Sequence, residues 1–215
     1  MKLRVLGHVS LVAAGAAMLL AGCGSAQPGA AAVVGDTTIS MGRADDTAVV
    51  YCKLTLLSAP EGTPVNNADV RRQAVTDLVF GVVAREMSAE ANIEPNPSTY
   101  EISPSQRKEI AAAFPEDEVD AVVDAIEDSQ HTFAIAQLLG AEELDEPNAN
   151  PEQVRDAGFQ LIQGELARRD VRFDPRFAIG SDGQQNAPTG SLSVPVEAPE
   201  PSDVKELPAT QRCSG

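Results

Sequence analysis

The chain has 215 residues, with 32 Asp and Glu against 16 Lys and Arg and a formal net charge of −16 at pH 7. A surface of that sign repels phosphate backbones, which argues against nucleic acid as a partner. The length allows one domain with a real core plus a tail, or at most two small domains.

Met1 to Cys23 opens with Lys2 and Arg4, runs apolar from Val9 to Leu20 and closes on Leu20-Ala21-Gly22-Cys23. The apolar run is too short to span a bilayer comfortably and has the form of a signal-peptide core. Its four-residue ending resembles the lipobox of bacterial lipoproteins, whose cysteine thiol receives a diacylglycerol and becomes the first mature residue. The expectation is a signal peptide over 1–22, lipidation at Cys23 and a flexible tether over 23–30; an ordinary signal peptide with a chance cysteine is the alternative. More than one acyl chain anchors stably, since about 0.8 kcal/mol accrues per buried methylene and one chain alone holds weakly. The body is therefore expected on the extracytoplasmic face of the bacterial cell membrane, lipid-anchored, with the bilayer as a partner through that anchor. Without residues 1–22, which take Lys2 and Arg4 with them, 14 basic side chains face 32 acidic ones, a charge of −18.

Ala31 to Ser40, AAVVGDTTIS, has the grammar of a short hairpin leading into a helix. Ala31 to Val34 and Thr37 to Ile39 are small and β-branched, and Gly35-Asp36 is a two-residue turn that tolerates positive φ. A two-stranded ribbon is marginal in water, so a third strand from elsewhere is required. Ser40 caps a first helix to about Leu57, with Val50, Tyr51, Leu54 and Leu57 on its apolar face. After the loop Ala59 to Pro64, Asn67 caps a second helix to about Ala91. Its inner stripe is Val75, Leu78, Val79, Val82 and Val83, with Arg71, Arg72, Asp77, Arg85 and Glu86 outside.

Ser103-Pro104-Ser105-Gln106 combines an N-cap, a first-turn proline and a capping-box glutamine, predicting a third helix to about Ala113. Pro115-Glu116-Asp117-Glu118 restarts with acids at the positive end of the helix dipole. The core face of this fourth helix reads Val119, Val122, Val123, Ile126, Phe133, Ala134 and Leu138, with a stop at Gly140. Ala141 to Ala149 reads as an acidic loop. Asn150-Pro151-Glu152-Gln153 repeats the capping logic and opens a fifth helix carrying Val154, Ala157, Leu161, Ile162 and Leu166, ending near Arg168-Arg169.

Val171-Arg172-Phe173 alternates, and Asp174-Pro175-Arg176-Phe177 stops any helix. This is the strand the hairpin needs, predicted to pair with Ala31 to Val34. The fold class is thus mainly α with a small β clasp: about five helices, with the N-terminal hairpin (31–39) closed by a return strand (171–173). Gly180 to Gly190 reads as a flexible loop, Ser191 to Val196 as an edge strand limited by Pro195, and Glu197 to Pro201 as an acidic tail.

Beyond Cys23 the cysteines are Cys52 and Cys213. An even count in an oxidising compartment predicts a disulfide, closing a loop of about 160 residues and worth up to roughly 5 kcal/mol. Two unpaired thiols are the alternative.

The Ala-Val-Val-Gly-Asp-x-x-Ile hairpin, the helices after it and the return motif Val-Arg-Phe-Asp-Pro-Arg-Phe together resemble the N-terminal chaperone domain of SurA and related exported foldases such as PrsA. The resemblance covers about Ala31 to Phe177. It implies that the last helix and strand return to the first strand, and that the helical body binds unfolded exported polypeptides. The family motif commonly ends in an aromatic-glycine pair; here Phe177 precedes Ala178, with Gly180 displaced. Many relatives carry a parvulin-type prolyl isomerase domain, for which there is no room between Leu139 and Asn150. The isomerase site resembles a pocket with paired histidines, and His131 is the only histidine after the signal segment. Prolyl isomerase activity is therefore expected to be absent.

No Gly-x-Ser-x-Gly elbow, phosphate-binding loop or histidine pair at zinc spacing occurs, so no cofactor, metal or catalytic residue is assigned. His131 reads as a surface or edge residue. The acidic runs Glu116 to Asp128 and Glu142 to Glu146 lack EF-hand spacing and read as solvated helix faces. Two functions remain open: a membrane-tethered chaperone-like protein binding unfolded exported polypeptides, and a non-catalytic adaptor lipoprotein binding one cell-envelope partner. The first requires an exposed apolar groove larger than an ordinary monomer shows.

Overall fold

The computed structural model describes residues 28–146, 148–185, 204 and 207–213. The signal segment with Cys23, the strand read at Ser191 to Val196 and the acidic stretch Glu197 to Pro201 lie outside the described residues.

Strands β1 (Ala30–Val34) and β2 (Thr37–Ser40) form the hairpin, and β3 (Val171–Phe173) completes an antiparallel sheet of order β2-β1-β3. Gly35 turns the hairpin with φ +53°, a conformation that carries no penalty without a Cβ. The return strand pairs as expected: Ala32 with Phe173, Val33 with Arg172, Val34 with Val171. The Gly35 amide donates to the Asp170 carbonyl at 3.0 Å and the Asp174 amide to the Ala31 carbonyl at 2.8 Å. All five residues of β1 are buried because it lies between two strands and beneath the helices. In β3 the alternation holds, with Val171 and Phe173 inside and Arg172 out.

Five α-helices follow the hairpin: α1 (Met41–Ser58), α2 (Asn67–Ala91), α3 (Pro104–Ala113), α4 (Val119–Leu144) and α5 (Pro151–Leu166). Local chemistry sets their starts. The Ser40 side chain accepts from the Arg43 amide at 3.1 Å. Ser103 and Asn150 each sit in a capping box with a glutamine three residues on. The cap of α2 is Asn66 and not Asn67, its side chain accepting from the Ala68 amide at 2.9 Å. A 3-10 turn over Glu116–Glu118 leads into α4.

Packing corrects several expectations. The fourth helix passes through Gly140 and ends at Leu144, where Asp145 adopts the left-handed conformation; residues 141–144 are helix and not loop. Gly140 serves packing: a Cβ there would lie 2.8 Å from the Gly158 nitrogen of α5, and one on Gly158 would lie 2.9 Å from the Ala136 Cα. Val119, Val122, Val123 and Ala134 are buried as expected, and because α5 rests on the face around Ala136 and Gly140, Ile135, Ala136 and Leu139 also turn inward. Phe133 and Leu138, expected inside, are 44% and 38% exposed. Leu57 is 65% exposed, since the cover over α1, a small cluster around Val50, Val122 and Ala125, reaches only as far as Leu54. The main core joins the sheet to α2, α4 and α5 through Val34, Val75, Val79, Ile135, Ile162 and Leu166.

Residues 180–185, read as part of a flexible loop, form a turn against this core. Gly180 donates to Gln184 at 2.8 Å, Ile179 and Gln185 make a β-bridge, and Gly183 lies against Leu166 and Phe80. The tether is also shorter than expected, since Ala30 is already in β1.

Candidate binding cleft

The α4–α5 pair is held close by its two glycines and α1–α2 is a second antiparallel pair; a cleft opens between them. It has a volume of about 780 Å³ and is open to solvent along one side. Leu54 of α1, Phe80 of α2, Ile126 and Phe133 of α4 and Phe159 of α5 supply the apolar walls. Phe133 meets Phe159 edge to face, ring centroids 5.1 Å apart. Three of the six phenylalanines in the chain thus converge at one opening. A protein spending aromatics only on its core would bury all of them, and here Phe133 is 44% exposed.

The floor is narrow because of Gly81, where a Cβ would come within 3.2 Å of the Thr132 hydroxyl. Thr132 is buried, and its hydroxyl donates to the Asp128 carbonyl at 3.0 Å. Asp128 lies on the rim and receives Arg43 and, at 3.8 Å, Arg85. Asp77 of α2 also lines the cleft and is exposed to solvent. The surrounding protein nonetheless pushes its carboxyl up to about 6, while the Tyr51 hydroxyl and Gln73 side chain pull it down. Tyr51 is in turn held well above the usual phenol range by burial and by the Asp77 charge.

A second hollow, of about 440 Å³, lies on the far side of Arg85 and is lined by Ser88, Asn92, Tyr100 and His131. The His131 ring sits 4.2 Å from that of Tyr100, and burial together with Arg85 lowers its pKa against the opposing pull of Asp128. His131 is half-buried at an edge, as the sequence reading had it. Among the described residues no group of three His, Cys, Asp or Glu side chains converges as a metal ion would need. None of the described helices is long and apolar enough to cross a membrane.

Cys52, buried in α1 one residue from the cleft-lining Tyr51, is bonded to Cys213, with the Cα atoms 5.4 Å apart. The Cys213 amide donates to the Val65 carbonyl at 2.9 Å, and Asn66 and Arg212 form a β-bridge. The end of the chain is therefore tied to the α1–α2 corner by one covalent and several polar links. Cys23 lies outside the described residues.

Sequence reading missed the cleft residues in two ways. Phe133 was placed in the core, while Phe80 and Phe159 were not singled out; Asp77 is exposed, as its place outside the α2 stripe predicts, and what the sequence did not show is that it lines the cleft. The available signal was an aromatic beside the polar flank of each apolar stripe, which becomes a site only when three helices converge. Comparison with protein-family models, with curated proteins and with solved structures finds no match for this chain.

Proposed function

We propose that the protein is a chaperone-like holdase that binds unfolded exported polypeptides, tethered to the outer face of the cell membrane through a lipid on Cys23 and without prolyl isomerase activity. The observation that carries this reading is the open cleft walled by Phe80, Phe133 and Phe159, with Phe133 44% exposed. The cleft's apolar area stays within what an ordinary monomer shows, so the support lies in three aromatic rings lining one open groove, which suits weak capture of an extended segment. The likeness to the N-terminal domain of SurA-type foldases gains support from the β1–β3 closure. Ala178 adds to it: this residue occupies the left-handed region at φ +51°, where the related motif carries glycine. The link from Leu144 to Pro151 is too short to hold the isomerase domain that many relatives of the resembled family carry, so that activity is no part of the proposed role. The tether is supported by the start of β1 at Ala30, within about 25 Å of contour from Cys23.

Light scattering from several unrelated aggregating substrates tests the proposal. The protein is expected to suppress aggregation at near-stoichiometric ratio, and Phe133→Ser, which removes an exposed ring, to require several-fold more protein. Saturable binding to a single envelope protein with no suppression would replace the holdase by an adaptor. Metabolic labelling with an alkyne fatty acid should mark the wild type and not Cys23→Ala.

A further inference from the structure

The cleft carries one charge that the fold does not balance. Among the described residues, Asp128 takes Arg43 and Arg85, Asp45 takes Arg71, and Asp69 takes Arg72. Asp77 receives no lysine or arginine among the described residues, although it lines the same cleft as Leu54, Phe80 and Phe133. Asp77 is exposed at the mouth and has the Tyr51 hydroxyl and the Gln73 side chain beside it, but neither carries a positive charge, so a cation brought by the occupant gains a charge-assisted contact there. The chain as a whole is acidic, at −16, so its long-range field also favours a cationic occupant over a neutral or anionic one.

We propose that the cleft selects extended polypeptide segments in which a lysine or arginine lies within a residue or two of an aromatic or branched aliphatic side chain. The cation meets Asp77, and the apolar neighbour packs on Phe80, Phe133 and Phe159. This selectivity rests on the holdase reading and names its substrate class. The open trough suits an extended backbone, whose alternate side chains point to opposite faces, one to an apolar wall and the next to a charged one. The polar and charged groups around Asp77 in the cleft are Tyr51 from α1, Gln73 and Arg85 on its own helix, and Asp128 from α4, which pairs with Arg85. The protein around Asp77 raises its carboxyl to about 6, so the preference is present at pH 7.5 and fades as the pH falls through that value.

Fluorescence anisotropy of the full mature protein decides the matter, using labelled peptides that share one apolar sequence and differ in carrying two arginines, two glutamines or two glutamates. The arginine peptide is expected to bind about 10-fold more tightly than the glutamine peptide at pH 7.5, as for a charge-assisted contact. Asp77→Asn should abolish that ratio, whereas Asp124→Asn, an exposed carboxylate on α4 away from the cleft, should leave it intact. A ratio that survives Asp77→Asn, in a variant whose circular dichroism matches wild type, overturns the proposal. Equal binding of all three peptides, lost in Phe133→Ser, leaves the holdase standing and removes its basic preference. Failure of every peptide to bind removes both readings. A dimer in sedimentation velocity that no peptide dissociates would make the occupant a second copy and also overturn the proposal.

Discussion

Replacing Gly140 with alanine adds a single methyl group to a helix, a change that elsewhere stabilises by relieving backbone entropy. Here the methyl would stand 2.8 Å from the Gly158 nitrogen and 2.9 Å from the Val154 carbonyl carbon, with the Val154 oxygen closer still. Optimal contact lies at about 3.5–4.0 Å, and the Val154 oxygen is the nearest obstacle, so α4 and α5 must separate by about 1.5 Å or more. The atoms in the way are backbone, and no rotamer change relieves them. The expected loss is about 3 kcal/mol, the upper part of the overpacking range. At about 2–4 °C per kcal/mol for a chain of this size, Tm falls by about 6–12 °C. Gly158→Ala meets the same crossing from the other side, with the Ala136 Cα at 2.9 Å. The double variant should cost less than the sum, because helices separated for one methyl already have room for the second. Gly164→Ala, exposed on α5 with only Arg168 near at 3.8 Å, is the matched control and should gain about 0.5–1 kcal/mol. Thermal unfolding by circular dichroism reads all four. If Gly140→Ala and Gly158→Ala both unfold within 1 °C of wild type, the close approach of α4 and α5 is wrong.

Three further outcomes follow from particular contacts. Reducing the Cys52–Cys213 bond, or making Cys213→Ser, should lower stability by about 2–4 kcal/mol in urea titrations, and reductant should not shift the variant further. Arg169 bonds Glu90 at 2.9 Å and Glu165 at 3.1 Å and also pairs with Glu86, tying the end of α5 to α2. Arg169→Met strands those three carboxylates and should cost about 2 kcal/mol, less than the ~3–5 of a fully buried pair because Glu90 is largely exposed; lysine should restore only part, lacking the planar fork. Ala178→Gly should stabilise by about 0.5–1 kcal/mol, since φ +51° costs an L-residue more than glycine loses in backbone entropy; an unchanged unfolding midpoint would contradict that geometry.

The chain closes on itself twice, and both closures bear on the cleft. The β1–β3 pairing brings residues 171–177 back to the start of the domain, while the disulfide carries Cys213 to the helix that supplies Tyr51 and Leu54 to the cleft wall. If the cleft holds unfolded chains, as proposed, its walls must not collapse onto each other when it is empty. Here one wall is braced by the sheet and the tight α4–α5 crossing, and the other by a covalent link at the α1–α2 corner.

Much of this was legible residue by residue. Helix starts were readable from Ser40, Ser103-Pro104 and Asn150-Pro151 because a cap depends only on a side chain and an amide two or three residues on. The hairpin turn at Gly35, the inner stripe of α2 and the pairing of Val171 to Phe173 with β1 were readable for a similar reason: alternation and turn chemistry leave few registers open. Tertiary structure alone decided the rest. Gly140 looked like a helix stop until α5 lay against it, and Phe133 looked like core until that same contact turned Ile135 and Leu139 inward. Asp77 was an unremarkable outer carboxylate on its helix, and becomes a candidate anchor only where α1, α2 and α4 converge. Periodicity identifies which side chains share a face, but which face another helix covers, and where a gap stays open, depends on contacts between residues far apart in the chain.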